Sequence, residues 1–134
     1  MTIRQVSEKY GISQDTLRYY EKIGMIPPVT RTAGGIRDYQ ESDLGWVELA
    51  ICLRNAGMSV EAMVEYVRLN RQGDSTMKAR LELLQNQRQA IVERRDRIDR
   101  ALERLDYKIR VYEDAINSGK LSWDQKHGDE NGGN

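Results

Sequence analysis

Arg18 follows Ser13 by just over one helical turn, with Gln14 and Thr16 in the same short segment. A guanidinium, an amide and a hydroxyl so placed can hydrogen-bond base edges or phosphate oxygens. The neighbouring Tyr19 and Tyr20 face different sides of a helix, so one belongs to a core and the other can reach a phosphate. Further on, Arg31 precedes Gly34-Gly35, and Arg37 and Tyr39 follow it two residues apart. That spacing puts both on one side of an extended strand. The competing readings are an ordinary exposed helix arginine and an ordinary solvated hairpin.

A different chemistry is open to Cys52, the chain's single cysteine. Glu48, one helical turn earlier, disfavours a thiolate, and Arg54 points away on helical spacing. A small buried hydrophobe is the commoner role for such a residue, and a reactive thiol is the alternative. Catalysis lacks its players. There is one histidine, His127, with no Gly-rich phosphate loop and no carboxylate pair placed for acid–base work. Cys52 and a distant His127 cannot satisfy a soft metal's coordination, so neither a metal nor another cofactor is expected.

These residues need elements to hold them. Thr2 can cap a first helix with Ile3, Val6 and Tyr10 inward, ended by Gly11. Ser13 caps a second, with Leu17, Tyr20 and Ile23 facing the first and Gly24 as its stop. Pro27-Pro28 closes the pair, and the basic, glycine-hinged segment from Arg31 to Tyr39 reads as a β-hairpin wing. Ser42 or Asp43 starts a third helix, apolar on two sides, with Leu44, Val47 and Ile51 on one and Trp46, Leu49 and Leu53 on the other. Such a helix must be sandwiched. Asn55-Ala56-Gly57 ends it, and Ser59 caps a fourth helix bearing Val60, Met63, Val64, Val67 and Leu69. Gln72 to Ser75 reads as a hinge.

From Met77 the apolar period changes. Leu81, Leu84, Arg88, Ile91, Arg95, Ile98, Leu102, Leu105, Ile109, Tyr112 and Ile116 follow it in steps of three and four. That predicts one helix of six heptads, ending at Ser118-Gly119 and ~60 Å long at 1.5 Å per residue. So narrow a stripe calls for a partner helix, most economically a second copy of the chain. The expected dimer interface is therefore Leu81, Leu84, Ile91, Ile98, Leu102, Leu105, Ile109, Tyr112 and Ile116. Arg88 and Arg95 interrupt the seam, their stems packing and their heads reaching outward. Arg80, Arg94 and Lys108 at g against Asp99, Asp106 and Glu113 at e favour parallel pairing by themselves. The polar, glycine-rich segment 120–134 is expected to be disordered.

The fold class expected is all-α dominated: a winged helix-turn-helix DNA-binding head over residues 1–73, then a long dimerising coiled-coil helix over 74–119. The chain has 134 residues, 21 Lys/Arg and 21 Asp/Glu, for a formal net charge of zero. The distribution still favours DNA at the head. Residues 1 to 40 carry Arg4, Lys9, Arg18, Lys22, Arg31 and Arg37 against Glu8, Asp15, Glu21 and Asp38. That small excess supports positioned phosphate contacts rather than strong nonspecific binding, so affinity would come from a dimer. No export leader or membrane-length apolar run is visible, and a lone cysteine suits a reducing compartment. A cytoplasmic, nucleoid-associated protein without membrane partners is expected.

Three strings carry a family resemblance: Ile3-Arg4-Gln5-Val6-Ser7, Thr16-Leu17-Arg18-Tyr19-Tyr20-Glu21-Lys22-Ile23-Gly24-Met25-Ile26, and Gly35-Ile36-Arg37-Asp38-Tyr39. Together they resemble the head of MerR-type transcription regulators, and the resemblance extends over roughly residues 1 to 118. It implies that Thr2, Ser13, Gln14, Thr16, Arg18, Tyr19, Tyr20, Arg31, Arg37 and Tyr39 form the DNA-contacting set. It implies antiparallel pairing of the long helices, a pseudo-palindromic promoter operator, and action on RNA polymerase through distortion of the promoter spacer. A branch of such regulators responding to aldehydes, quinones or nitric oxide carries one cysteine on the third helix. Those proteins share the Arg-Asn-Ala-Gly-hydrophobe-Ser string found here at Arg54 to Ser59. The resemblance thus implies Cys52 as sensor, against an adaptor that senses nothing through a thiol. Ala79 stands where a metal-binding relative would carry a cysteine. Fifteen residues after Gly119 are also too few for the effector domain of drug-binding relatives.

Overall fold

The computed structural model describes residues 1–123. Five α-helices follow in order: α1 Ile3–Tyr10, α2 Gln14–Ile23, α3 Glu41–Asn55, α4 Val60–Arg71 and α5 Met77–Ser118. Local chemistry sets their ends. The Thr2 hydroxyl accepts the Gln5 N–H at 3.2 Å while Gln5 Oε1 accepts the Thr2 N–H at 2.9 Å, a reciprocal cap on α1. The Ser13 hydroxyl accepts the Thr16 N–H at 3.0 Å, and that of Ser59 accepts the Ala62 N–H at 3.1 Å. Gly11, at φ +67°, turns the chain left-handed between α1 and α2, a conformation that costs a side-chain-bearing residue about 1 kcal/mol or more. The third helix begins slightly earlier than Ser42. Gln40 is its cap, and the Asp43 carboxylate accepts the Gln40 N–H at 2.8 Å.

By internal contacts the chain divides into two compact units, Met1–Ile91 and a second beginning at Val92. The first 15 residues of α5 therefore belong with the head, further along the chain than a boundary at residue 73. The head core is built from Val6, Leu17, Met25, Ile26, Val29, Tyr39, Val47, Ala50, Met58 and Met63, with Leu83 of α5 packed against it. The two-sided apolar pattern of α3 is explained here: Val47 and Ala50 are buried, and Trp46, Ile51 and Leu53 are partly covered.

Two sequence expectations change in the head. The wing is reduced to a single antiparallel bridge between Arg31 and Arg37, closed by a turn at Thr32–Gly35 with Gly35 at φ +84°. Tyr39 does not stand beside Arg37 on an outer face. It is 1% exposed, and its hydroxyl is buried without a hydrogen-bond partner. The physical reason is size: the small head has few large apolar side chains, and this ring fills its centre. The presumed hinge also differs. Asp74–Thr76 form a 3-10 turn, and Arg80 donates to Thr76 Oγ1 at 3.0 Å, Asn70 Oδ1 at 3.0 Å and the Gly73 carbonyl at 3.1 Å.

In the second unit the seam residues Ile98, Leu102, Leu105, Ile109, Tyr112 and Ile116 are all exposed. The tail is not featureless at its start. Trp123 packs against Tyr107 and Tyr112 with ring centroids 5.9 Å away, and Lys108 Nζ lies 4.8 Å over the indole. Aromatic area and the cation over the ring pack Trp123 onto α5, within the segment expected to be disordered. The remainder of that expectation, residues 124–134 with His127, lies outside the described residues.

Two outcomes follow for thermal and urea unfolding. Leu17→Ala, at a fully buried site, should cost about 2–5 kcal/mol. Tyr39→Phe should be neutral or stabilising by about 1 kcal/mol, because the hydroxyl loses hydration without gaining a partner. A large loss of stability in Tyr39→Phe would reveal a hydrogen bond that this geometry does not contain.

Candidate nucleic-acid interface

The exposed side of α2 is a continuous polar surface. Arg18 donates through NH1 to Asp15 Oδ1 at 3.0 Å and through NH2 to Gln14 Oε1 at 3.2 Å. These residues stand three and four positions apart, so helical geometry alone brings them together. Both bonds are exposed and exchangeable for contacts to a ligand. Tyr19 is 53% exposed beside them, whereas Tyr20 packs against the core, which resolves the tyrosine pair. Thr2 and Ser13 are surface residues, but their hydroxyls are engaged as helix caps. Thr16 shares the Ser13 cap, with the two hydroxyl oxygens 2.8 Å apart.

The wing is attached to this helix by one carboxylate. Glu21 Oε2 accepts the Val29 N–H at 2.8 Å, and its Oε1 accepts Arg37 Nε at 2.7 Å. Arg31 NH2 lies 3.7 Å from the same Oε1, while Arg31 NH1 donates to the Gly35 carbonyl at 2.9 Å. Glu21 is largely buried, Arg37 half-buried and Arg31 exposed. A second carboxylate, Asp43, supports the base of the wing through the Gln40 N–H and a longer bond from the Thr30 N–H, 3.4 Å. Within this group the Tyr39 phenol is pushed above its ordinary pKa, first by burial. Arg37 opposes that rise, and Glu21 and Asp43 add to it.

The structure therefore brings Gln14 and Arg18 together on α2, with Tyr19 exposed beyond them and Thr16 tied to the Ser13 cap, and places Arg31 and Arg37 on the wing that Glu21 ties to that helix. It leaves Tyr39 and Tyr20 inside. Glu21 was missed by sequence reasoning. Its place before the Gly24 stop is visible in sequence, but nothing local links it to an arginine sixteen positions later.

Cys52 is exposed on α3, not buried as a small hydrophobe. Glu48, a turn before it, accepts from the Tyr10 hydroxyl at 2.6 Å. Partial burial and that carboxylate push the Tyr10 pKa up to about 12. Arg54 donates to the Met58 carbonyl at 2.6 Å and so closes its own turn rather than attending the thiol. Among the described residues no group of three His, Cys, Asp or Glu side chains is placed to hold a metal, and no helix is long and apolar enough to cross a membrane.

Comparison with known proteins bears on this arrangement. Residues 1–69 match the family model of MerR HTH family regulatory proteins. The chain is 50% identical over 93 residues to the HTH-type transcriptional regulator AdhR of Bacillus subtilis (strain 168), covering 69% of this chain and 66% of that protein. Among solved structures, a MerR-family transcriptional regulator of Listeria monocytogenes superposes with TM-score 0.84 at 43% identity, covering 89% of this chain and 90% of that one. HiNmlR, a MerR-family regulator lacking the sensor domain and solved bound to promoter DNA, gives TM-score 0.81 at 36% identity. That match covers 90% of this chain and 95% of HiNmlR. With a helix-turn-helix head, a polar α2 surface, an attached wing and a long following helix, the chain belongs to the MerR family of DNA-binding transcriptional regulators.

Proposed function

We propose that this chain is a dimeric, promoter-binding activator of a thiol or aldehyde stress response, switched by modification of Cys52. The observation that carries the promoter reading is the likeness to HiNmlR, a relative solved on promoter DNA, over nine-tenths of this chain. The exposed Arg18 and Tyr19 on α2, with the partly buried Gln14 beside Arg18, suit a major groove, and the wing arginines suit the flanking phosphates. The heads of a dimer grip successive major grooves on a pseudo-palindromic operator. They bend and untwist an overlong promoter spacer so that RNA polymerase meets both of its elements. The deformation cost is met by the helix and wing contacts. Such a protein works in the cytoplasm, beside the chromosome.

The dimer reading rests on α5. A row of exposed apolar residues from Leu81 to Ile116 on a 42-residue helix is unstable in water unless another helix covers it. Arg95, which interrupts the seam, turns toward Asp96 at 3.5 Å, as a side chain that packs its stem and points its head outward would. Antiparallel pairing is the arrangement that the family resemblance implies.

The switch reading rests on the exposure of Cys52 and on the Arg54-to-Ser59 string after it. A thiol at the surface of α3 is within reach of small electrophiles, and alkylation or nitrosation there adds bulk where the partner's long helix would pack against the head. Overpacking of that kind costs about 1–3 kcal/mol, which shifts a two-state arrangement by roughly one to two decades.

Footprinting on the DNA upstream of the chain's own gene, with and without an electrophile, tests the whole reading. Protection of an inverted repeat between promoter elements is expected. Leu102→Asp should place a charge in the seam at a cost of several kcal/mol and convert a dimer to monomers in light scattering. A monomeric unmodified protein at micromolar concentration would remove the coiled coil from the account. Cys52→Ala should leave folding and basal operator binding nearly intact and abolish induction by aldehydes, quinones or nitrosating agents. A thiol inert to alkylation in the intact protein would make Cys52 structural and require another signal.

A further inference from the structure

We propose that Glu21 is a positioning residue for DNA contact, which holds the Arg37 guanidinium by its Nε edge and thereby aims its two terminal nitrogens at a backbone phosphate. The proposal rests on the promoter-binding reading above and adds a residue that carries no DNA contact of its own. It is argued from the geometry of a planar fork. A guanidinium held at Nε by a carboxylate oxygen 2.7 Å away has its plane and one edge fixed, and the outer fork formed by its two terminal nitrogens is turned away from that carboxylate. A phosphate oxygen pair accepts that edge, and a held guanidinium loses less freedom on binding than a loose one.

The carboxylate is itself fixed. Its other oxygen accepts the Val29 N–H at 2.8 Å, and only about a tenth of the side chain is exposed. Glu21 therefore cannot follow Arg37 as a mobile surface partner would. Arg31 differs in kind. It is exposed, 3.7 Å from Glu21, and tied instead to the Gly35 carbonyl at the wing turn, so its reach does not pass through the carboxylate. Among the described residues, the one side-chain bond that the structure gives Arg37 is the one to Glu21. Coupling to Glu21 should therefore be strong for Arg37 and weak for Arg31.

A double-mutant cycle reads that coupling. The probe is a labelled duplex spanning the segment protected in the footprint, and the proteins are the full chain and its variants. Glu21→Gln keeps an amide oxygen for the Val29 N–H while losing the charge that holds Arg37. Glu21→Gln and Arg37→Ala should each weaken binding about tenfold, the size expected of one charge-assisted contact. The double variant should bind no more weakly than Arg37→Ala alone. Glu21→Gln with Arg31→Ala should instead show the product of the two single losses. A purely structural Glu21 would cost as much in the Arg37→Ala background as in the unmodified protein, and that additive outcome overturns the proposal.

Arg37→Lys tests the same idea without touching Glu21 or the fold. Lysine keeps the charge but cannot offer one edge to a carboxylate and the other to a phosphate. It should bind as poorly as Arg37→Ala, and near-normal binding by Arg37→Lys overturns the proposal. Arg18→Ala separates the two levels of failure. A loss of binding in Arg18→Ala beside an additive cycle overturns the role of Glu21 alone. Absence of duplex binding by the unmodified protein overturns the promoter reading and this proposal together.

Discussion

One partly desolvated carboxylate, Glu21, joins α2 to the wing. The wing has one bridge and a few backbone bonds, among them Thr32 N–H to the Ile36 carbonyl at 2.8 Å and Asp38 N–H to the Thr30 carbonyl at 2.7 Å, less than a longer strand ladder would supply. Its attitude to α2 is therefore set from outside, by Glu21 at one edge and Asp43 at its base. Charge-assisted bonds in a half-buried site are stronger and more directional than those at the surface. In the proposed complex, a helix placed at the bases and a wing placed at a phosphate must keep a fixed separation to match a rigid duplex. A carboxylate bonded to a backbone N–H and to a guanidinium meets that requirement with few residues.

The same economy governs the core. The head is small, and it recruits residues that a larger domain would leave at its surface. Tyr39 fills the centre with its ring and leaves its hydroxyl unpaired. Leu83, early on the long helix, extends the core past the end of α4. The 3-10 turn and the Arg80 bonds to Thr76, Asn70 and the Gly73 carbonyl then fasten the start of α5 to the segment before it. What the sequence pattern presented as a hinge is a braced corner, because a single arginine three residues into the helix reaches back to satisfy the turn.

Regulation by a small molecule requires a group that the solvent reaches and a packed element that it disturbs. In the proposed switch Cys52 would be that group: it is exposed on a helix whose inner side carries Val47 and Ala50 in the core. Glu48, one turn before Cys52, accepts a hydrogen bond from the Tyr10 hydroxyl at 2.6 Å. Membership of the MerR family fixes the class of the protein. On the proposed reading, the signal acts through this one exposed sulfur.

Sequence by itself determined the helices, their caps and the register of the long apolar stripe. Those features depend on neighbours three or four residues away, and the capping hydroxyls of Thr2, Ser13 and Ser59 stand where the spacing put them. The surface cluster of Gln14 and Arg18 was legible for the same reason. Tertiary structure alone decided which of the aromatic and charged residues face inward. Tyr39 was drawn into the core and Cys52 left outside it, since burial depends on what packs opposite and not on the local pattern. The partnership of Glu21 with Arg37 was equally invisible, because it joins residues sixteen apart through a fold that brings a helix end beside a wing. The packing of Trp123 onto Tyr107 and Tyr112 was hidden in the same way, one aromatic ring meeting two others.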